Sequence, residues 1–231
     1  MRLDKYLLEL HPNLTRSKSQ DLIKRGLVLV NNKVITKTGY EIKQSDEIQV
    51  LDLLKYVSRA GLKLEHAANI LNLNISNLKV LDVGSSTGGF SDYSIQNGAS
   101  IVYAYDVGTN QMDKDLRNNP KIVLNEQTNI LSATIPNVDI ALVDVSFTSS
   151  KQILKHIYNH SNVFLILIKP QFEVGKDHLK KGIVKDKKRV QALLDEFKLL
   201  ATDLGFQNIK IFPTNLPGKD GNLEYWLYLE K

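Results

Sequence analysis

The chain has 231 residues, 42% of them hydrophobic and 24% charged, with a formal net charge of +5. That length suits one catalytic domain plus a small module, and the composition is enough to bury a core. There is no cysteine, which excludes disulfides and thiolate metal sites and fits a reducing, cytoplasmic setting. Arg2, Asp4 and Lys5 interrupt the start, so no signal peptide is expected. The longest strongly apolar run, Val163 to Ile168, ends at Lys169, far short of the about 20 residues a membrane span needs. The positive surplus favours a polyanionic partner. Residues 1–37 carry Arg2, Lys5, Arg16, Lys18, Lys24, Arg25, Lys33 and Lys37 against Asp4, Glu9 and Asp21. A second basic cluster runs from Lys176 to Arg189 through Lys180, Lys181, Lys185, Lys187 and Lys188. Either cluster alone reads as a solvated surface.

The first 50 residues read as a compact α+β module. Leu3, Leu7 and Leu10 share a helical face, and Ser17 with Gln20 has the pattern of a capping box for a second helix ending at Gly26. Leu27 to Val30, Asn31-Asn32 and Lys33 to Ile35 predict a tight hairpin, since asparagine tolerates positive φ. Ile48 to Val50 is a further short strand. Residues 51–59 form a short, ordered linker without glycine or proline.

From residue 60 to 231 the pattern alternates between helices and strands. A helix spans Leu62 to Leu71, and another Val190 to Leu204. Strands are predicted at 80–83, 101–105, 122–124, 140–143, 163–168, 209–212 and 225–229. This predicts a Rossmann-like α/β fold: a mostly parallel seven-stranded sheet covered on both faces, with the last two strands as an antiparallel pair at one edge.

The segment Asp82-Val83-Gly84-Ser85-Ser86-Thr87-Gly88-Gly89-Phe90 follows the first of these strands and opens a helix. Small residues there let the backbone approach a ligand, and ligands of open parallel sheets sit beyond the carboxyl ends of the strands. Ser86 stands where a dinucleotide fingerprint needs its second glycine, and no phosphate-cradling G-x-x-x-x-G-K-[ST] exists. S-adenosylmethionine carries no phosphate. It needs a carboxylate near the sulfonium end and an acid for the ribose hydroxyls; Asp82 suits the first and Asp106, ending the next strand, the second. The alternative is a plain strand-to-helix turn with a capping acid.

Asp82, Asp144 and Lys169 all stand at strand ends. A lysine directly after six apolar residues either emerges at the sheet's carboxyl edge or is buried with a partner. There it can orient a hydroxyl acceptor and, if burial lowers its pKa, act as a base; nearby carboxylates oppose that shift. The sequence calls for no metal.

These residues resemble the TlyA family, in which an FtsJ-like ribose 2′-O-methyltransferase domain follows a ribosomal-type alpha-L RNA-binding domain. The resemblance rests on Arg2-Leu3-Asp4 with Ser17, Gly26-Leu27-Val28 and Val30-Asn31; on Val57 to Leu64; and on Asp82 to Phe90, Asp106-Val107-Gly108, Thr128-Asn129-Ile130, Asp144 to Phe147, Lys169 to Glu173 and Gly221 to Glu224, in that order. It implies a Lys-Asp-Lys-Glu set at Lys63, Asp144, Lys169 and Glu224, with Lys169 central, and Asn129 near the adenine. It also implies ribosomal RNA or a ribosomal subunit as partner and a cytidine as target. Arg2, Lys5, Arg16, Lys18, Lys24, Arg25, Arg59, Lys176, Lys180 and Lys181 are the expected RNA contacts. Ala60 and the loop Leu216 to Asp220 depart from the family pattern. Two other readings are a non-catalytic RNA-binding assembly factor, told apart by tritiated-methyl transfer, and a membrane-lytic protein, since the family carries a hemolysin label, told apart by liposome leakage.

Overall fold

The computed structural model describes the chain apart from Asn13, Arg25, Asp52, Leu53, Leu54, Lys219 and Asp220 and the side chains of Ser17, Lys18 and Lys176. Helices α1 (Leu3–Leu10) and α2 (Arg16–Lys24) pack Leu3, Leu7, Leu22 and Ile23 against the strands that follow. Leu10 is 46% exposed in the last turn of α1 rather than sharing the buried face, because the helix stops there. The α2 helix begins at Arg16, ahead of the expected Ser17 cap, and the Gln20 amide donates to Asp4 Oδ2 at 3.2 Å instead of capping. Asn31 and Asn32, with φ of 50° and 61°, turn β1 (Val28–Val30) into β2 (Lys33–Val34), and β3 (Ile48–Val50) pairs along the other side of β1.

The connection onward is ordered where it is described. Tyr56 is buried, and the Val57 N–H donates to Asp92 Oδ2 at 2.7 Å. Arg59 is already the first residue of α3 (Arg59–Leu71), three residues before the expected helix start.

The remaining elements are β4 (Lys79–Val83), α4 (Gly89–Gln96), β5 (Ile101–Tyr105), α5 (Lys114–Arg117), β6 (Ile122–Asn125), β7 (Ile140–Val143), α6 (Ser150–Ile157), β8 (Val163–Ile168), α7 (Pro170–Glu173), β9 (Leu179–Lys180), β10 (Ile183–Val184), α8 (Lys187–Asp203), β11 (Asn208–Pro213) and β12 (Tyr225–Glu230). Seven strands form one sheet in the order β11-β12-β8-β7-β4-β5-β6. One face is covered by α3 and α4 through Leu64, Ala67, Phe90 and Tyr93, and the other by α6 and α8 through Ile153, Leu154, Leu193 and Phe197.

The terminal pair lies at one edge as expected, but β12, which runs against the others, is the inner member, between β8 and β11. Its register sets Tyr225 opposite Ile168. The amino end of β12 therefore lies at the same rim as the carboxyl ends of β4, β7 and β8. The second basic cluster, 176–189, is a 3-10 turn, the β9–β10 hairpin and the first turn of α8. The Asp186 side chain caps that turn by accepting from the Lys188 and Arg189 N–H groups.

Candidate active site

Four strand ends build the rim. After β4 the chain turns at Gly84, whose φ is +84°; a Cβ there would lie 2.6 Å from the Asp144 carbonyl oxygen, so only glycine lets the turns after β4 and β7 lie this close. Ser86 also takes a left-handed φ, 47°, so a serine occupies the backbone conformation that a glycine would usually supply. Its N–H donates to Asp106 Oδ2 at 2.8 Å, and the Gly108 N–H donates to Asp106 Oδ1 at 2.6 Å. Asp106 thus ties the β4 and β5 turns together at the wall of a cleft.

That cleft holds about 510 Å³ and runs from Gly84, Ser86 and Asp106 past Asn129 to Asp144 and Phe147. The volume lies within the range of small-molecule sites. Asn129 lines it while its Oδ1 caps the 3-10 turn at 130–132 by accepting from the Leu131 N–H at 3.0 Å. A smaller recess of about 200 Å³ adjoins it at Gly84, Ser86 and Asp144, and includes Asp82, Ser85, Thr87, Gly89 and Lys169. Gly88 begins α4 as its amino-terminal cap. Phe90 touches the recess, yet its ring is buried against Trp226, 5.8 Å away, so it serves the core more than any ligand.

Asp82 is fully buried, accepts from Ser91 Oγ at 2.6 Å through Oδ2, and leaves Oδ1 without a hydrogen-bond partner among the described residues. Burial pushes its carboxyl up to about 7, against the Ser91 hydrogen bond that pulls it down. An orphaned buried carboxylate oxygen at the floor of a recess suits a cationic ligand group. The raised value also has a sign. The folded chain favours neutral Asp82, so that contribution to stability is complete below the ordinary value of 3.8 and is lost as pH rises through about 7. The ligand-free protein is expected to lose several degrees of Tm over that window, at about 2–4 °C per kcal/mol for a chain of this size, and Asp82→Asn should flatten the slope. Equal slopes in both proteins, followed by calorimetry, would refute the assignment.

Two ion pairs stand at the rim. Lys169 Nζ lies 2.5 Å from Asp144 Oδ1, in ion-pair rather than aligned hydrogen-bond geometry, and donates to Ser146 Oγ at 3.1 Å. Lys63 Nζ meets Glu224 Oε2 at 2.5 Å, with the two residues 4% and 2% exposed. Burial pushes the Lys63 ammonium down from its ordinary pKa, while the Glu224 and then the Asp144 carboxylates oppose that shift. The four residues named from the family resemblance therefore come together as Lys63–Glu224 and Lys169–Asp144. Lys169 caps α7 with Pro170 at the first helical position, where a missing N–H costs nothing.

The basic residues divide. Lys5, Arg16, Lys24, Lys180 and Lys181 are exposed. The Arg2 guanidinium pairs with buried Asp4 at 2.8 Å and so helps hold the module together. Arg59 is half-buried and donates to the Pro217 carbonyl at 3.2 Å, an internal strut rather than a free contact. Arg25 and the side chains of Lys18 and Lys176 lie outside the described residues. Ala60 sits within α3 against Gly89, where a further Cβ would approach it to 2.9 Å.

Sequence reasoning passed over several contributors. Ser146 touches Lys169. Glu126 accepts from the Asn110 and Gln111 N–H groups and from Arg117, fixing the loop beside Ser86. Phe147 is 91% exposed at φ +64°, its ring 5.0 Å from that of Phe172. Such a backbone conformation in an aromatic residue signals a constrained loop. Ser146 and Phe147 carried a visible signal, as part of the quoted Asp144–Phe147 motif, and Glu126 carried none.

The family model for the FtsJ-like methyltransferase matches residues 56–231, and that for the S4 domain matches residues 1–48. Hemolysin A of Brachyspira hyodysenteriae is 38% identical over 236 residues, spanning 97% of this chain and 98% of that protein. The 23S rRNA (cytidine-2′-O)-methyltransferase TlyA of Campylobacter jejuni is 34% identical over 254 residues, spanning 100% of both. The solved structure of a protein described as a candidate hemolysin, from Streptococcus thermophilus, matches with a TM-score of 0.76 at 34% identity, covering 100% of this chain and 88% of that one.

Proposed function

The chain belongs to the TlyA family of FtsJ-like methyltransferases with an S4 domain, and from that premise we propose that it methylates the ribose 2′-hydroxyl of a cytidine in ribosomal RNA, in the cytoplasm, with S-adenosylmethionine as donor. The observation that carries this reading is the Lys169–Asp144 pair beside Gly84, where the cleft and the recess meet. The residues fit the donor: the orphaned Asp82 oxygen suits its cationic sulfonium end, Asp106 its ribose hydroxyls, and the stretch lined by Asn129 its adenine. When bound, S-adenosylmethionine supplies a methyl group on a positively charged sulfur, and no metal is required for its transfer.

The protein's own part is positioning and charge. Lys169 would orient the acceptor oxygen and stabilise the charge that develops as the hydroxyl proton leaves. Asp144 holds that lysine in place, and Ser146 accepts a hydrogen bond from its ammonium. The Lys63–Glu224 pair is buried close enough for the Asp144 carboxylate to act on Lys63. The donor would supply the methyl group and keep the bonding electron pair on its sulfur, so the residues at the rim would only have to accommodate the one proton that the hydroxyl gives up to solvent.

The exposed basic residues of the first module, Lys5, Arg16 and Lys24, and of the hairpin, Lys180 and Lys181, serve phosphate contact, which supplies affinity and salt dependence rather than sequence choice. Reaching a ribose within folded RNA costs a few kcal/mol of local unstacking. Mapping ribose methylation across both large rRNAs, with and without active protein, tests the function; identical maps would sink it. Deleting residues 1–50 is expected to weaken binding to ribosomal particles while leaving cofactor affinity in place. Unchanged activity on particles would remove the docking role of the S4 domain.

A further inference from the structure

The loop between β11 and β12 joins parts of the molecule that are remote in sequence. At its start Leu216 packs into the core of the amino-terminal module, and the Pro217 carbonyl accepts from Arg59. At its end Asn222, 2% exposed, turns its side chain to the basic hairpin. There Oδ1 accepts from the Val184 N–H at 3.0 Å and Nδ2 donates to the Gly182 carbonyl at 2.9 Å. The hairpin has two residues per strand, turning at Lys181 and Gly182, both at positive φ. So short a hairpin is marginal alone, and the buried amide holds it in place.

The same loop is tight against Glu224. The Gly218 N–H donates to the Asn222 carbonyl at 2.8 Å, and a Cβ on Gly218 would lie 2.5 Å from Glu224 Oε1. The Glu224 carbonyl in turn accepts from the Thr214 N–H at 2.9 Å. One residue, Leu223, separates the amide that grips the hairpin from the carboxylate that grips Lys63. With the loop's first half anchored on Leu216 and Arg59, a displacement of the hairpin acts on Glu224.

We propose that Asn222 is a positioning residue that couples phosphate contact at the β9–β10 hairpin to the placement of Glu224 against Lys63, so that turnover depends on RNA engaging the hairpin. This rests on the reading of the chain as an RNA methyltransferase. Lys180 and Lys181 are exposed and supply the phosphate contact; Asn222 passes its consequence inward without touching substrate.

A double-mutant cycle on the full-length protein tests it, with methyl transfer to ribosomal subunits as readout. In the parental protein, Lys180→Ala with Lys181→Ala is expected to raise KM and also to lower kcat by about 10-fold. In the Asn222→Ala background, itself slower by about 10-fold, the same lysine changes are expected to raise KM and leave kcat where it was. Cofactor affinity, titrated separately, is expected to stay unchanged in all four proteins, which a general loss of structure would not allow. Asn222→Asp keeps the acceptor for Val184 and loses the donor to Gly182, and it carries the cycle if the alanine variant fails to fold. Multiplicative kcat losses, or a normal kcat in both Asn222 variants, would overturn the coupling. Absence of transfer by the parental protein would instead sink the function, and the coupling with it.

Discussion

Lys169→Ala is expected to lower methyl transfer by about 10³-fold, within the range of a lost positioned acid–base group, while cofactor affinity stays within about twofold. The expectation follows from where the side chain sits. Lys169 reaches the recess from the end of β8 and touches Asp144 and Ser146. The cleft's other walls, from Ser86 and Asp106 to Asn129, do not depend on it. The loss should therefore fall on kcat, with single-turnover rates following steady-state rates because the chemical step itself has slowed. Lys169→Arg should recover little, since a planar guanidinium cannot place one donor as an ammonium does. Normal turnover of the alanine variant would remove Lys169 from the reaction centre. A parallel collapse of cofactor binding would reassign it to the cofactor site.

Glu224→Ala should be the most destabilising single change at the site. It strands the Lys63 ammonium at 4% exposure without its closest partner. Breaking one side of a buried pair costs about 3–5 kcal/mol, or roughly 10 °C of Tm for a chain of this size. Lys63 escapes part of that cost by giving up its proton, in the direction burial already pushes it. The unfolded chain then binds more protons than the folded one, so the destabilisation should grow as pH falls below the ordinary lysine value of 10.5. Replacing both partners, Lys63→Met with Glu224→Leu, should restore most of the stability, because apolar pairs substitute well for buried ionic ones. It should restore none of the methyl transfer. Thermal unfolding of the three proteins at two pH values measures this, and a loss below about 1 kcal/mol for Glu224→Ala, the size of an exposed pair, would mean that the pair is open to solvent.

Much of the site was legible because a parallel sheet ends its strands at one rim. Apolar runs closing on Asp82, Asp106, Asp144 and Lys169 locate that rim without any tertiary information, and Asn31-Asn32 marks the hairpin of the first module as plainly. The family resemblance added Lys63 and Glu224, whose own surroundings in sequence carry no sign of burial or charge pairing.

Periodicity and strand-end chemistry were local properties, so the chain alone determined where its elements stop and which polar residues stand at their ends. Partner choice was not local. That Lys63 takes Glu224, 161 residues away, and leaves Asp144 to Lys169 follows from β12 running against its neighbours and α3 packing across the sheet. For the same reason Phe90 turns to Trp226, Arg59 to Pro217 and Asn222 to the basic hairpin. Each contact depends on the distance between two packed elements, a quantity that no residue pattern along the chain contains.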